Sequence, residues 1–128
     1  MMKIPSATRI LVVDDHPGVV DILITCLREE GYGVLGALTG EVGLKDFILS
    51  RPDLVLLDIA LPGGMNGIEL LKRIRSISPP ARVIVVTGNQ DPLLVREAFQ
   101  LGALAYIDKP FDLTYLKRVV AMALQEAA

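Results

Sequence analysis

Apolar positions along this chain fall into short runs, each with at least one β-branched residue, at 10–13, 34–38, 54–57, 83–86 and 105–107. Each is followed by a longer segment in which apolar residues recur at helical spacing: 17–30 (Val20, Leu23, Ile24, Leu27), 40–50 (Leu44, Phe47, Ile48), 67–76 (Leu70, Leu71, Ile74), 92–101 (Val95, Ala98, Phe99) and 112–126 (Leu113, Leu116, Val120, Ala123). The pattern predicts five strand–helix units. Pro17 and Pro92 suit first helical turns, and Gly31 and Gly102 suit the residue just past a helix end. The second helix is the weak one, because Gly40 and Gly43 each cost about 1 kcal/mol of helix propensity relative to alanine, so a short or mobile segment is expected there. Alternating units of this kind build a parallel sheet with helices on both faces, joined by right-handed crossovers.

In such sheets, ligands sit beyond the carboxyl ends of the strands. The first strand ends in Asp14-Asp15, the third in Asp58 ("LVLLD"), the fourth in Thr87 ("VIVVTG"), and the fifth leads to Lys109-Pro110 ("YIDKPF"). Three acids, a hydroxyl and a lysine therefore share one rim. Clustered carboxylates repel one another and call for compensating positive charge, which a hard divalent cation supplies. Mg²⁺ binds through one or two carboxylates, waters and phosphate oxygens, so the set suits phosphoryl transfer. The chain has neither a GxxxxGK[ST] loop nor a GxGxxG turn, which argues against a bound nucleotide as phosphate source and for a phosphoryl group that ends on the protein itself.

Size and charge narrow the picture further. At 128 residues the chain supports one core, and its net charge of −2 gives no electrostatic footprint for nucleic acid or an anionic membrane. Lys72, Arg73 and Arg75 form a basic group on the third helix, but no aromatic residues interleave with it, and a solvated face is expected. The apolar runs are too short to span a membrane, and "MMKIPSATR" has no core of signal-peptide length, so a cytoplasmic chain is expected. The single cysteine, Cys26, sits between Ile22, Leu23 and Leu27 and reads as a small buried hydrophobe.

The ordered set "VVDD", "LVLLD", "VVTG" and "YIDKPF", spread over essentially the whole chain, resembles the receiver domain of two-component response regulators, the chemotaxis-regulator-like family. Each motif alone is weak; their order and spacing make the resemblance specific. It implies one receiver domain over residues 1–128, folded as a flavodoxin-like, doubly wound (βα)5 sandwich with strand order 2-1-3-4-5. It also implies that Asp58 is the phosphoacceptor, receiving a phosphoryl group from a phosphohistidine of a sensor histidine kinase or a histidine phosphotransfer protein. Asp15, with Asp14 through water, would hold Mg²⁺ together with Asp58 and the backbone carbonyl of Ala60. Lys109 would pair with one phosphoryl oxygen, Thr87 would donate its hydroxyl to another, and Tyr106 would be the aromatic switch. Gly88 leaves room for the phosphate, and the bond before Pro110 is where the family usually has a cis peptide.

Some features depart from the common pattern. "LPGGMNG" carries Gly63 and Gly64, one residue more than usual, as also occurs among receivers of hybrid histidine kinases, so the loop is expected to be longer with an unsettled path near the metal. His16 stands where an acid is common and reads as a solvated residue ahead of a helix, with an added metal ligand or a pH-sensitive neighbour of the phosphate as the alternative. Asp108 is expected to face the surface. "GALAY" replaces the acidic pair that precedes the switch aromatic in the winged-helix transcription-factor branch, so that branch's charged dimer is not expected, and a monomer or weak dimer with a more apolar contact is.

Three functions follow from these residues. The first is a phosphorylation switch, in which the face of the fourth helix, fifth strand and fifth helix changes its affinity for a downstream effector; no activity beyond its own phosphorylation and dephosphorylation is implied. The second is an interaction module that works without phosphate, or the receiver part of a hybrid kinase or transcription regulator. The third is a metal-dependent phosphohydrolase, which would need a further general acid that the sequence does not offer.

Overall fold

The computed structural model describes residues 8–125, leaving the predicted helix end at Glu126 and most of the leader segment outside the described residues. Ten elements follow one another as β1 (Arg9–Val13), α1 (Pro17–Glu29), β2 (Gly33–Ala37), α2 (Gly40–Ser50), β3 (Leu54–Leu57), α3 (Gly67–Ile77), β4 (Val83–Thr87), α4 (Pro92–Gln100), β5 (Ala105–Asp108) and α5 (Leu113–Gln125). All five strands are parallel, in the order β2-β1-β3-β4-β5. This is the flavodoxin-like arrangement that the sequence led us to expect.

The strand sequences explain the order. β3 and β4 are buried at every position and β1 at all but its first, whereas β2 and β5 are partly exposed and form the edges. Successive side chains of the central strands point to opposite faces. Leu11, Val13, Val55, Leu57, Val83 and Val85 pack with Phe47 of α2, Leu70 and Ile74 of α3 and Ala98 of α4. Ile10, Val12, Leu54, Leu56, Ile84 and Val86 pack with Leu23 and Leu27 of α1 and Leu116 and Val120 of α5. Two cores thus back one sheet, and both strand ends and helix starts gather on one rim. No helix among the described residues is long and apolar enough to cross a membrane.

The helix punctuation agrees with the sequence. Pro17 and Pro92 open α1 and α4, and Gly31 and Gly102 follow their helices with φ of 96° and 91°. Asp112 is a cap, its Oδ1 accepting the Thr114 N–H at 2.8 Å, and α5 starts at the next residue. Cys26 is buried, as a small hydrophobe in α1 should be.

Two expectations need correction. The second helix is neither short nor broken: α2 runs for 11 residues behind Thr39, whose hydroxyl accepts the Val42 N–H. Its glycines permit close packing, since a Cβ on Gly43 would lie 2.9 Å from a Val13 methyl and one on Gly40 only 2.5 Å from the Met65 carbonyl oxygen. The tertiary contacts outweigh the propensity cost. Arg75, expected on a solvated face, is only partly exposed: its guanidinium donates to the carbonyls of Leu101 (2.9 Å), Pro79 (2.6 Å), Ala81 (2.7 Å) and Gly102 (3.3 Å). It ties the end of α4 to the α3–β4 connection. Arg75→Ala should lower stability by about 2 kcal/mol, since charged donors would be lost from backbone carbonyls. Lys72→Ala, which removes only an exposed ion pair with Glu97, should change it by less than about 0.5 kcal/mol. Urea denaturation of both variants checks the contrast.

Candidate functional site

The parallel ladders continue one residue beyond the strands. The Asp14 N–H donates to the Ala37 carbonyl and the Asp58 N–H to the Val13 carbonyl, both at 3.0 Å, while the Lys109 N–H donates to the Thr87 carbonyl at 3.0 Å. Adjacent strands therefore deliver Asp14 and Asp58 at the same level, with Lys109 arriving from the far edge. The Lys109–Pro110 peptide is cis.

Lys109 Nζ bridges the two buried acids, donating to Asp14 Oδ2 at 2.5 Å and to Asp58 Oδ2 at 2.9 Å. Asp58 Oδ1 accepts the Ala60 N–H at 2.9 Å, and Asp14 Oδ1 accepts the His16 N–H at 2.9 Å. Burial alone would push the Asp58 carboxyl up. The Thr87 hydroxyl, the Lys109 ammonium and the Ala60 N–H more than offset this and hold it below the ordinary carboxylate range. Burial likewise opposes the charged form of Lys109, but hydrogen bonds to Asp14 and Asp58 and their charges win, pushing its ammonium above the usual lysine value. Lys109 thus stands between two buried acids, with the Asp58 carboxylate favoured in its charged form.

Asp15 stands apart. Its Oδ1 is buried yet has no hydrogen-bond partner. One carboxylate oxygen each from Asp14, Asp15 and Asp58, and one ring nitrogen of His16, lie within 4.8 Å of one another, the one such cluster among the described residues. A surplus of carboxylate oxygen with one orphaned buried atom fits a hard divalent cation. His16 is largely exposed, as expected of a residue preceding α1, but its Nδ1 also lies 3.1 Å from Asp14 Oδ1 and 3.2 Å from Asp15 Oδ1. It is therefore part of the acid pocket as well as a solvated side chain.

Thr87 is wholly buried, its hydroxyl oxygen accepting the Asn89 N–H at 3.3 Å. Tyr106 is half-buried, with its hydroxyl donating to the Asn89 carbonyl at 2.6 Å and its ring centroid 6.3 Å from that of Phe99. Thr87 and Tyr106 thus meet at one residue, Asn89, which carried no signal in the sequence. Burial and the nearby Asp108, Asp58 and Asp91 charges raise the Tyr106 phenol above its ordinary value, so it stays a donor. Asp108 faces the surface.

The extra glycine does not enter the pocket. The loop after Asp58 leans on the start of α2, where a Cβ on Gly64 would lie 2.8 Å from Glu41 Oε2. Gly63 has φ of 93°. The residue sequence reasoning missed is Gly67, where a Cβ would lie 2.3 Å from the Asp58 carbonyl oxygen and 2.5 Å from Ile59 Cα. Only a glycine lets α3 start against the strand end that carries Asp58. The Asn66-Gly67 pair, with Asn66 capping the Glu69 N–H, was the available signal.

Comparison with known proteins finds relatives in both sequence and fold. The sequence model of the response regulator receiver domain matches residues 10–121. Sporulation initiation phosphotransferase F of Bacillus subtilis (strain 168) is 40% identical over 112 residues, covering 88% of this chain and 90% of that protein. Regulatory protein AtoC of Escherichia coli (strain K12) is 39% identical over 94% of this chain, which spans only 26% of that longer protein. A response regulator receiver domain protein (CheY-like) from Methanospirillum hungatei JF-1 superposes with a TM-score of 0.90 at 35% identity, covering 93% of this chain and 94% of its own.

Proposed function

This chain belongs to the response regulator receiver domain family, and from that premise we propose that Asp58 accepts a phosphoryl group from a phosphohistidine and so switches the affinity of the α4-β5-α5 face for an effector. The observation that carries this reading is the Lys109 bridge between Asp14 and Asp58, beside an orphaned Asp15 oxygen. Asp58, its carboxyl held below the ordinary carboxylate value, is a nucleophile without needing a base. One of its carboxylate oxygens bonds to phosphorus as the P–N bond breaks, and the electron pair leaves with the partner's imidazole. Asp15, Asp58 and the Ala60 carbonyl would hold Mg²⁺, with Asp14 through water; the ion supplies charge that neutralises the phosphoryl oxygens. Lys109 exchanges its bond to Asp58 for one to a phosphoryl oxygen, and the Thr87 hydroxyl donates to another.

Thr87 and Tyr106 transmit the change through Asn89. A threonine drawn toward the phosphoryl group pulls on the Asn89 amide, and the Asn89 carbonyl sets the position of the Tyr106 hydroxyl. The ring is already half-buried here, so the switch works by remaking that tether rather than by a full swing from solvent. An apolar hollow of Val19, Ile22, Phe111 and Leu113 opens next to Lys109 and gives a partner carrying the phosphohistidine a place to rest. We place the receiver in the cytoplasm, as a monomer or weak dimer served by a sensor histidine kinase or a histidine phosphotransfer protein, with no reaction beyond its own phosphorylation and dephosphorylation.

Beryllofluoride, which mimics a phosphoryl group on a carboxylate, tests the switch. NMR shifts should change around Asp58 and also along residues 91–101 and 105–108. In Thr87→Ala the pocket changes should persist and the distant ones shrink. Shifts confined to the pocket in the wild type would leave the phosphoacceptor chemistry standing and remove the Thr87–Asn89–Tyr106 relay.

A further inference from the structure

The acid pocket of this chain contains one donor that is not an oxygen. His16 Nδ1 points at the carboxylates, hydrogen-bonded to Asp14 Oδ1 at 3.1 Å and lying 3.2 Å from Asp15 Oδ1. Neighbouring ligands of an octahedral ion with bonds of about 2.1 Å are separated by about 3.0 Å, so the Nδ1–Asp15 Oδ1 distance is that of one ligand edge. The Asp15 oxygen on that edge is buried and has no hydrogen-bond partner. Asp58 belongs to the same cluster, one ligand atom of each member lying within 4.8 Å of the others.

We propose that His16 supplies a nitrogen ligand, through Nδ1, to the cation held by Asp15 and Asp58, so that this pocket takes a transition-metal dication such as Co²⁺ or Ni²⁺ in preference to Mg²⁺. Mg²⁺ gains little from an imidazole in place of water, whereas affinity along the first transition row climbs when nitrogen joins the donor set. Coordination requires Nδ1 to give up its hydrogen bond to Asp14. The imidazole is two-thirds exposed, so its remaining proton can reside on Nε2 in contact with water while Nδ1 faces the metal. Because Asp14 is already engaged by Lys109 and by the His16 N–H, the imidazole fills a position that this acid does not need to occupy.

The inference rests on the metal reading of the acid pocket given above, and the test separates the two. Isothermal titration of the wild-type chain, His16→Ala and His16→Gln with Co²⁺, Ni²⁺ and Mg²⁺ in turn should show Co²⁺ and Ni²⁺ binding the wild type more tightly than Mg²⁺. Both substitutions should weaken Co²⁺ and Ni²⁺ by about tenfold or more and alter Mg²⁺ by less than about twofold. His16 is the sole histidine of the chain, so in electron spin echo spectra of the Mn²⁺-loaded protein any imidazole nitrogen coupling belongs to it. That coupling should be present in the wild type and absent from both variants. Co²⁺ affinity indifferent to His16, or no nitrogen coupling, overturns the ligand assignment while Mg²⁺ binding keeps the acid-pocket reading. Absence of binding by every ion at millimolar concentration overturns both.

Discussion

Asp58→Asn should reduce labelling by acetyl phosphate to background while the domain stays folded. The side chain is buried at the end of the central strand, with Ala60 donating to one oxygen and Lys109 to the other. An asparagine amide keeps an acceptor for the Ala60 N–H but has no carboxylate oxygen to bond to phosphorus, so the chemistry stops for electronic rather than steric reasons. Lys109 retains Asp14, so no charge is stranded, and the stability change should stay within about 1 kcal/mol. Intact-mass measurement reads the phosphoryl adduct, and far-UV circular dichroism reads the fold. Undiminished labelling in a folded variant would transfer the acceptor role to Asp14 or Asp15.

Lys109→Met should lower stability at neutral pH by about 3 kcal/mol. Removing one partner of a buried ionic group leaves the others uncompensated, and here two carboxylates lose the same cation. The pH profile gives a second reading. In the wild type the Asp58 carboxyl lies below 3.8 in the folded state, so its contribution is present above that value and is lost as pH falls through the folded value. The Lys109 ammonium lies above 10.5 when folded, so its contribution is present below that value and is lost as pH rises through the folded one. Without the lysine, Asp58 keeps its burial and loses a principal partner, its carboxyl rises, and the acid loss should begin at higher pH. Urea midpoints between about pH 3 and pH 8 measure both effects. A variant within about 0.5 kcal/mol of wild type at neutral pH would show that water, rather than Lys109, balances the two acids.

The strand–helix alternation was legible because burial on both faces forces short, continuous apolar runs at 54–57 and 83–86, each followed by a longer segment with helical spacing. Asp14, Asp58 and Lys109 were legible as rim residues for the same reason: each directly follows a strand. What was hidden depends on contacts between segments far apart in sequence. Arg75 looked like surface charge because nothing in its own helix reveals the carbonyls of Leu101 and Gly102 above it. Gly40 and Gly43 looked like helix breakers because the side chains that need their space, Met65 and Val13, come from other elements. Asn89 had no pattern to betray it, since its backbone, not its side chain, touches Thr87 and Tyr106.

The arginine that ties down the end of α4 gives that helix a mechanical asymmetry. Its last turn is held through Leu101 and Gly102 by a guanidinium rooted in α3 and braced on Pro79 and Ala81. Its first turn is capped only locally, by Asp91 accepting the Leu93 N–H, and follows directly on the loop that carries Asn89. A helix clamped at one end and driven at the other behaves as a lever with its fulcrum at Arg75. Should the proposed relay pull on Asn89, the pull would tilt Pro92 and Leu93 through an arc while Phe99 and Gln100 stayed close to the pivot, and a partner that reads this helix by its opening turn would sense more movement than one that reads its end.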